Sequence, residues 1–378
     1  MTTTAAQPST GQPSTGQQST GRRHSVFHRL RVSEVERLTD DAVAVTFAVP
    51  PELAEDYRFR AGQHVNVRTV SGAGDDVRRS YSICASPGSG RLRIAVKRIP
   101  DGAFSSYALE TLAPGDEIDV MTPAGRFTPH LDPGQAKHYA ALTAGSGITP
   151  VLSIVAAVLE TEPGSRVTLL YGNRTSRSVM FLEDLEDLKD RYLDRFHLAH
   201  VLSREEQDGA LTSGRLDRDR VALVLRTLLP PDTVDEWFLC GPYDMVVGAR
   251  DVLVEHGVDR SHVHAELFHV GDTPPPPPPA DAGVAGASEV TVVLDGRRTT
   301  FDLPPAGPAV LDAVLGVRSD APFACKGGVC GTCRAKVLEG SVRMDRNYAL
   351  EESEVERGYV LTCQSHPTAQ RVVLDFDA

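Results

Sequence analysis

Four cysteines near the C-terminal end of the chain constrain its fold more than any other feature. Cys325, Cys330 and Cys333 follow a C-x4-C-x2-C spacing, and Cys363 stands further along the chain. The whole sequence of 378 residues has only six cysteines, which is too few for a disulfide scaffold at this length. Cysteines clustered in this way are typical of a metal site. The last part of the chain is therefore expected to fold around a metal centre.

This spacing is the one that holds a plant-type [2Fe–2S] cluster, in which four thiolates converge on two irons. Gly327, Gly328 and Gly331 would allow the backbone to curl around a cluster and to present N–H groups to its sulfurs. Zinc is the alternative, but zinc sites usually pair two C-x2-C knuckles, and the sequence has no second knuckle. We therefore predict that the four cysteines ligate a [2Fe–2S] cluster.

The composition argues against two classes of protein. With 51 acidic and 39 basic residues the formal net charge is −12, and there is no basic face of the kind that a general nucleic-acid binder uses to release counterions. The sequence contains no run of about 18 apolar residues, so a transmembrane helix is not expected. We expect neither nucleic acid nor a membrane as a partner.

The first residues predict a tail rather than a folded domain. Residues 1–22 are almost entirely Ser, Thr, Gln, Gly, Pro and Ala, a composition typical of disorder. Arg22 and Arg23 resemble the start of a twin-arginine export signal, but the residues that follow are charged rather than apolar. The predicted location is therefore the cytoplasm, where thiols stay reduced.

Three segments differ in their hydrophobic pattern. Residues 23–134 consist mainly of short alternating strands separated by Gly, Pro and Asp turns, which predicts a six-stranded antiparallel barrel. Residues 135–270 alternate buried strands with amphipathic helices, which predicts an α/β domain with a parallel sheet. Residues 271–288 contain six consecutive prolines and predict an extended linker. Residues 289–378 begin with strands and predict a small cofactor-stapled domain.

A glycine-rich turn lies between the first strand and the first helix of the α/β segment. It contains Gly145, Ser146, Gly147, Thr149 and Pro150. Glycines there permit the close approach of a pyrophosphate, and the helix N-terminus supplies N–H donors and the positive end of its dipole. The turn lacks the third glycine of the G-x-G-x-x-G pattern. On this turn alone, a nucleotide site and an ordinary strand–helix turn both remain open.

Polar and basic residues follow the next two strands of the α/β segment. Asn173 and Arg174 follow the second strand, and Ser203 and Arg204 follow the third. No acidic residue ends the second strand to hold a ribose diol, as NAD sites often have. Arg and Ser suit a 2′-phosphate, because a guanidinium matches phosphate oxygens. By themselves these residues are equally typical of an exposed loop.

The order of these motifs resembles the ferredoxin–NADP⁺ reductase superfamily with a plant-type ferredoxin fused at the C-terminus, over about residues 25–378. The resemblance implies a flavin-binding barrel, a nicotinamide-binding α/β domain and a β-grasp [2Fe–2S] ferredoxin domain. It also implies an oxidoreductase that passes electrons from NADPH to FAD and then to the cluster. The choice of FAD over FMN rests largely on this resemblance.

The resemblance implies which residues bind the flavin. The R-x-Y-S strand of the family matches Arg79, Ser80, Tyr81 and Ser82, where a Tyr stacks on a ring and an Arg holds a phosphate. A following strand and helix start hold the flavin pyrophosphate in the family. The matching residues are Val96, Lys97, Gly102, Phe104, Ser105 and Ser106.

The nicotinamide side is implied in the same way. The G-x-G-x-T-P loop of the family matches the glycine-rich turn, and its C-G-P motif matches Cys240, Gly241 and Pro242. Glu266 and Phe268 resemble the acidic and aromatic pair that lies near the flavin in many members. The S-R-E run after the third strand matches a 2′-phosphate motif of NADPH-using relatives, which favours NADPH over NADH. The residues predicted for the catalytic centre are Cys240, Ser82 and Thr149.

The implied electron acceptor is an oxygenase. The expected one is the di-iron phenylacetyl-CoA epoxidase of aerobic phenylacetate catabolism. The alternative is a Rieske-type oxygenase such as 3-ketosteroid 9α-monooxygenase, with NADH as the donor, and a redox sensor without turnover is less favoured. An acidic run forms either a docking surface for a basic oxygenase or simply a solvated face. It consists of Glu351, Glu352, Glu354 and Glu356.

Overall fold

The computed structural model describes residues 26–70, 76–207, 209, 211–268, 286–304 and 307–378. The predicted tail, and the predicted linker as far as residue 285, lie outside the described residues. Three larger β-sheets and one two-stranded sheet organise the rest. Among the described residues, no helix is long and apolar enough to cross a membrane.

The first unit is a six-stranded antiparallel sheet, as predicted from the alternating pattern. Its elements are β1 (Phe27–Thr39), β2 (Ala42–Ala48), β3 (His64–Val70), β4 (Asp76–Ser82), β5 (Leu92–Lys97), α1 (Ala103–Glu110) and β6 (Glu117–Met121). The strand order is β4-β3-β6-β1-β2-β5. An antiparallel bridge between Ile83 and Ile94 joins the two edges, so the sheet closes into a barrel.

Strand β1 is the main element of this barrel that the sequence analysis did not predict. Its sequence is charged, but Leu30 and Val32 are fully buried while the residues beside them are exposed. Alternate side chains of a strand point to opposite faces, so the charged residues lie outside the barrel. The pattern of this segment is that of an amphipathic strand.

The second unit is a five-stranded parallel sheet with helices, again as predicted. Its elements are β7 (His138–Ala144), α2 (Ile148–Thr161), β8 (Arg166–Asn173), α3 (Leu182–Arg191), β9 (Phe196–Leu202), α4 (Arg218–Thr227), β10 (Glu236–Gly241), α5 (Tyr243–Glu255) and β11 (Val263–Leu267). The strand order is β11-β10-β7-β8-β9. The carboxyl ends of all five strands therefore meet at one edge, where α/β sheets bind ligands.

Helix α2 joins the first two units. Every residue from Ile148 to Leu159 is buried, because one side of the helix packs on the parallel sheet and another on the barrel. The Ser153 hydroxyl donates a hydrogen bond to the Ala85 carbonyl oxygen of the barrel segment at 2.7 Å. Barrel and sheet thus share one hydrophobic core.

The third unit is a mixed five-stranded sheet that packs on one helix, the β-grasp arrangement implied for the ferredoxin domain. Its elements are β12 (Ser288–Leu294), β13 (Arg297–Leu303), α6 (Val310–Val317), β14 (Arg334–Glu339), β15 (Val342–Met344), α7 (Glu352–Glu356), β16 (Tyr359–Leu361), β17 (Ser365–Pro367) and β18 (Arg371–Asp375). The order is β13-β12-β18-β14-β16, with β12 and β18 parallel, and β15 pairs with β17.

Candidate functional site

The four cysteines lie on two neighbouring loops of the ferredoxin unit. Cys333 and Cys363 are buried, whereas Cys325 and Cys330 are half-buried. Hydrogen bonds pair Cys330 with Cys325 and Cys333 with Cys363. These contacts hold the pKa of Cys325 and of Cys363 below the usual range of a thiol. The loops therefore bring all four predicted ligands together as two pairs.

This pairing fits two irons better than one metal ion. A [2Fe–2S] cluster needs one pair of thiolates on each iron, and two such pairs are present. The donor set thus favours the cluster over zinc.

The backbone of the cysteine loop is shaped for a cluster. Gly328 and Gly331 have φ values of 79° and 66°, a region that glycine adopts without strain. The Gly327 N–H donates a hydrogen bond to the Cys325 sulfur at 3.4 Å. Such N–H donors are what the glycines were expected to supply, and they stabilise charge on the sulfurs.

The predicted flavin strand lies at the edge of the barrel, in β4. Arg79 is exposed there, and the Tyr81 ring lies 5.3 Å from the ring of Phe104, centroid to centroid. The Ser80 hydroxyl donates a hydrogen bond to Asn66 Oδ1 at 2.6 Å. Burial raises the pKa of Tyr81, so its phenol stays neutral. The strand thus presents a guanidinium and a neutral aromatic ring side by side.

The predicted pyrophosphate element lies at the start of α1. Gly102 caps this helix without any side-chain hydrogen bond, and its first turn has no acidic residue, so its N–H groups suit an anion. The Ser105 hydroxyl instead fixes the preceding loop, since it accepts a hydrogen bond from the Ile99 N–H at 3.1 Å. Val96 and Phe104 are buried in the barrel core, so their side chains support the site from behind.

A cavity of about 1240 Å³ opens at the carboxyl ends of the parallel strands. It gathers most of the residues predicted for the nucleotide and adds Lys97 and Phe268 from the flavin side. The predicted residues in its wall are Lys97, Gly145, Ser146, Asn173, Arg174, Ser203, Arg204, Gly241, Pro242 and Phe268. Arg215 was not predicted from the sequence, but it lines the same cavity and is exposed. It precedes the unpredicted helix α4, where no motif marks it.

The glycine-rich turn forms one wall of this cavity. A Cβ on Gly147 would lie 2.3 Å from the Cys240 carbonyl oxygen, so only glycine fits there. The Thr149 hydroxyl donates to the Ser146 carbonyl oxygen at 3.0 Å, which closes the turn. Helix α2 begins here without a side-chain cap or an acidic first turn, and Pro150 lies in that first turn, as predicted. A helix start without such a cap or an acidic residue suits a pyrophosphate.

Cys240 and Glu266 lie side by side on β10 and β11, directly paired in the register of the sheet. The Ser82 hydroxyl of the barrel donates a hydrogen bond to Glu266 Oε2 at 3.3 Å. Burial raises the pKa of Glu266 to about 8, and burial together with the neighbouring Glu266 raises the pKa of Cys240 well above that of a free thiol. Both groups are therefore protonated at neutral pH, and Cys240 is not a thiolate nucleophile.

A smaller cavity of about 440 Å³ connects this centre with the cysteine loop. Its wall combines Glu266 of the parallel sheet, His64 and Gly125 of the barrel segment, and Cys330 of the ferredoxin unit. Glu266 is also near enough to Cys330 for their charges to interact. All three predicted cofactor sites thus border one region of the molecule.

Three protein-family models match the chain, in the order of the three units. They are an oxidoreductase FAD-binding domain over residues 29–128, an oxidoreductase NAD-binding domain over 142–251 and a 2Fe-2S iron-sulfur cluster binding domain over 292–368. Fold and site therefore define an oxidoreductase with domains for FAD, a nicotinamide nucleotide and a [2Fe–2S] cluster. This excludes the zinc alternative.

Similarity extends over nearly the whole chain. The sequence is 44% identical over 94% of this chain to one of the subunits of 1,2-phenylacetyl-CoA epoxidase from Escherichia coli (strain K12), and covers 99% of that protein. It is 34% identical over 92% of the chain to the ferredoxin reductase component of 3-ketosteroid-9-alpha-monooxygenase from Rhodococcus rhodochrous, covering 96% of it. The chain belongs to the ferredoxin–NADP⁺ reductase superfamily, among the reductases that carry a C-terminal [2Fe–2S] ferredoxin domain.

A solved structure shows the same fold across all three units. Phthalate dioxygenase reductase matches 93% of this chain and 98% of its own with a TM-score of 0.57. At 24% identity this likeness concerns the fold alone.

Proposed function

We propose that this chain is the NADPH-dependent reductase component of an oxygenase, and that its acceptor is the di-iron phenylacetyl-CoA epoxidase. The observation that carries the reductase activity is the convergence at Glu266. This residue accepts a hydrogen bond from Ser82 of the flavin strand, pairs in register with Cys240 of the nicotinamide motif, and shares a cavity with Cys330 of the cysteine loop. The flavin strand, the nicotinamide motif and the cysteine loop therefore lie close enough together for electrons to pass between their cofactors.

Bound at these sites, a flavin and a [2Fe–2S] cluster would supply the redox chemistry: exchange of an electron pair with NADPH and of single electrons with the acceptor. The protein positions these groups and keeps two nearby side chains, Cys240 and Glu266, without charge. Cys240 is fully buried and keeps its proton, so it excludes water without adding a negative charge. Ser82 orients the Glu266 carboxyl, which also holds its proton below pH 8.

The flavin side of the proposal assigns Arg79 to a phosphate, Tyr81 to stacking, and the start of α1 to the pyrophosphate. On the nicotinamide side, the start of α2 takes the pyrophosphate of NADPH. Both helix starts support these roles, because neither has a side-chain cap or an acidic residue in its first turn.

The preference for NADPH rests on three arginines. Arg174, Arg204 and Arg215 are exposed and line the nucleotide cavity, and their guanidinium groups suit a 2′-phosphate. The second strand ends in Asn173 rather than in a carboxylate, so no acidic group stands there to repel that phosphate. These features favour NADPH over NADH.

The choice of oxygenase rests on the higher whole-chain identity to the epoxidase protein, 44% against 34% for the ketosteroid reductase. The second candidate acceptor is therefore the 3-ketosteroid 9α-monooxygenase. The proposal also places the protein in the cytoplasm. It divides the chain into a flavin domain (23–134), a nicotinamide domain (135–270), a linker (271–288) and a ferredoxin domain (289–378).

An anaerobic NADPH titration followed by visible absorption tests the reductase activity. We expect uptake of about three electrons per chain, two at a flavin and one at a cluster. No bleaching of fully loaded protein by NADPH or NADH would overturn the proposal. The acceptor is tested by reconstitution with each oxygenase, where we expect product with the epoxidase; product with the ketosteroid enzyme alone would assign the chain to the second candidate.

A further inference from the structure

The ferredoxin unit contacts the parallel-sheet unit through apolar side chains. Val329 and Tyr348 both pack against the hydrophobic core that the parallel sheet forms with α4 and α5. The Tyr348 ring meets the ring of Tyr243 edge to face, with centroids 5.9 Å apart and an angle of 82° between the planes. Such aromatic pairs add to the stabilisation that burial of the rings provides. The two units are therefore joined by a specific aromatic contact.

One partner of this contact, Tyr243, belongs to the wall of the nucleotide cavity. It is the first residue of α5 and directly follows Pro242 of the C-G-P motif. Tyr243 is half-buried and lines the cavity of about 1240 Å³. A nucleotide bound there would cover part of its remaining surface and restrict the motion of its ring. Tyr243 is thus the point at which an occupied cavity can act on the ferredoxin unit.

The other partner, Tyr348, belongs to a segment that supports the cysteine loop. Its N–H donates a hydrogen bond to the Gly328 carbonyl oxygen at 3.1 Å. The next residue, Ala349, lies against the loop at Gly331, where an added Cβ would lie 3.7 Å from the Ala349 Cβ. A movement of Tyr348 is therefore transmitted to the loop that carries three of the four cysteines.

The two rings also lie between two cavities. Tyr243 lines the nucleotide cavity, whereas Tyr348 lines the smaller cavity that Glu266 shares with Cys330. The aromatic pair is therefore a direct connection between the nucleotide side and the cluster side of the molecule. This connection does not pass through the barrel.

We propose that Tyr348 is a positioning residue through which an occupied nucleotide cavity, acting on Tyr243, fixes the cysteine loop. The loop is then held most firmly while the nucleotide is bound. Because coupling between two sites is reciprocal, the contact with Tyr348 also strengthens binding of the nucleotide. The inference rests on the proposed function only in that the nucleotide binds in this cavity, and it does not depend on which oxygenase is the acceptor.

Hydrogen exchange of the full-length holoprotein, measured by mass spectrometry, tests the inference with saturating NADP⁺ and, in parallel, NAD⁺. In the wild type, the bound nucleotide should slow exchange of the amide at position 348 about threefold. Tyr348→Ala removes the ring, so this slowing should disappear, and the Kd for the nucleotide measured by calorimetry should rise about threefold. Tyr348→Phe retains the ring and should behave as the wild type in both measurements.

The control variant is Phe301→Ala, which removes a half-buried aromatic ring that packs on the core of the ferredoxin unit from the edge strand β13. Its nucleotide-dependent slowing and its Kd should match the wild type. Protection of residues 145–149 by the nucleotide without any change at position 348, or equal slowing in the wild type and Tyr348→Ala, would overturn this inference alone. No protection of residues 145–149 by either nucleotide would contradict the proposed nucleotide site and the inference with it.

Discussion

Ser82 donates a hydrogen bond to Glu266 across 3.3 Å, and this contact joins the last residue of barrel strand β4 to the end of β11 in the parallel sheet. The two units therefore meet through a hydroxyl and a carboxyl that the sequence separates widely. Because Glu266 accepts this hydrogen bond from the barrel and lies beside Cys240 of its own sheet, a change in its protonation alters contacts in both units.

The first prediction concerns the pH dependence of stability. The pKa of Glu266 rises from an ordinary value of 4.5 to about 8 on folding, because burial disfavours its charged form. The stabilising effect of the protonated carboxyl is complete below pH 4.5 and is lost as the pH rises towards 8. We expect the midpoint of thermal unfolding to fall further between pH 5 and about pH 8 in the wild-type protein than in Glu266→Gln. Identical pH profiles would contradict this assignment, and Glu183→Gln, at an exposed position, should follow the wild type.

The second prediction concerns the glycine-rich turn. Gly147→Ala places a Cβ 2.3 Å from the Cys240 carbonyl oxygen, so the turn must shift away from β10. We expect a loss of about 1–3 kcal/mol in the free energy of unfolding by urea, the range for overpacking. Gly316→Ala is the control, because a Cβ there meets nothing within 4 Å. A Gly147→Ala protein as stable as this control would show that the turn can accept a Cβ beside the Cys240 carbonyl oxygen, against the prediction.

The third prediction concerns nucleotide selectivity. Arg204→Ala removes one guanidinium from the nucleotide cavity, and a charge-assisted hydrogen bond contributes about 1.5–3 kcal/mol. We expect kcat/KM for NADPH to fall about tenfold to a hundredfold while kcat/KM for NADH stays constant. Arg177→Ala, an exposed arginine outside the cavity wall, should change neither value. Equal losses with both nucleotides would argue against a 2′-phosphate contact.

The fourth prediction separates the cluster from the flavin. Cys363→Ser removes one thiolate from a pair, so the purified protein should lose its cluster absorption and its two irons per chain. Flavin reduction by NADPH should continue, because the flavin and nucleotide elements lie in the other units. Cys84→Ser, in the buried barrel segment, should retain full iron content. Retention of both irons in Cys363→Ser would remove this residue from the ligand set.

Local sequence patterns predicted the barrel and the parallel sheet, because each pattern is contiguous, whereas the β-grasp fold of the third unit was implied by the family resemblance. A few consecutive residues are enough to identify the cysteine spacing, the glycine-rich turn and the alternating strands. Two elements were missed: β1 is charged on its outer face, and α4 has only a short apolar run between charged ends. In both, burial of one face by distant residues decides the structure.

Individual site residues were harder to predict than the elements that carry them. Val96 and Phe104 lie in the right strand and helix, but their side chains face the barrel core. Arg215 lines the nucleotide cavity without belonging to any motif. Glu354 sits in an acidic run, yet it alone is buried, because Arg334 and Arg126 come from elsewhere in the fold. Such distinctions depend on tertiary contacts that one sequence does not display.

Helix α2 is enclosed between the barrel and the parallel sheet, and this position determines which units of such a chain can be exchanged in a chimeric protein. A cut between these two units would expose the apolar side of this helix that packs on the barrel, so neither half is expected to remain well folded alone. The ferredoxin unit contacts the other two through side chains such as Thr332, Tyr348 and Glu354, without a shared helix, and it follows a proline-rich segment. A chimeric protein in which the ferredoxin unit comes from another reductase is thus compatible with this architecture. A chimera that exchanges the flavin unit must exchange the nucleotide unit together with it.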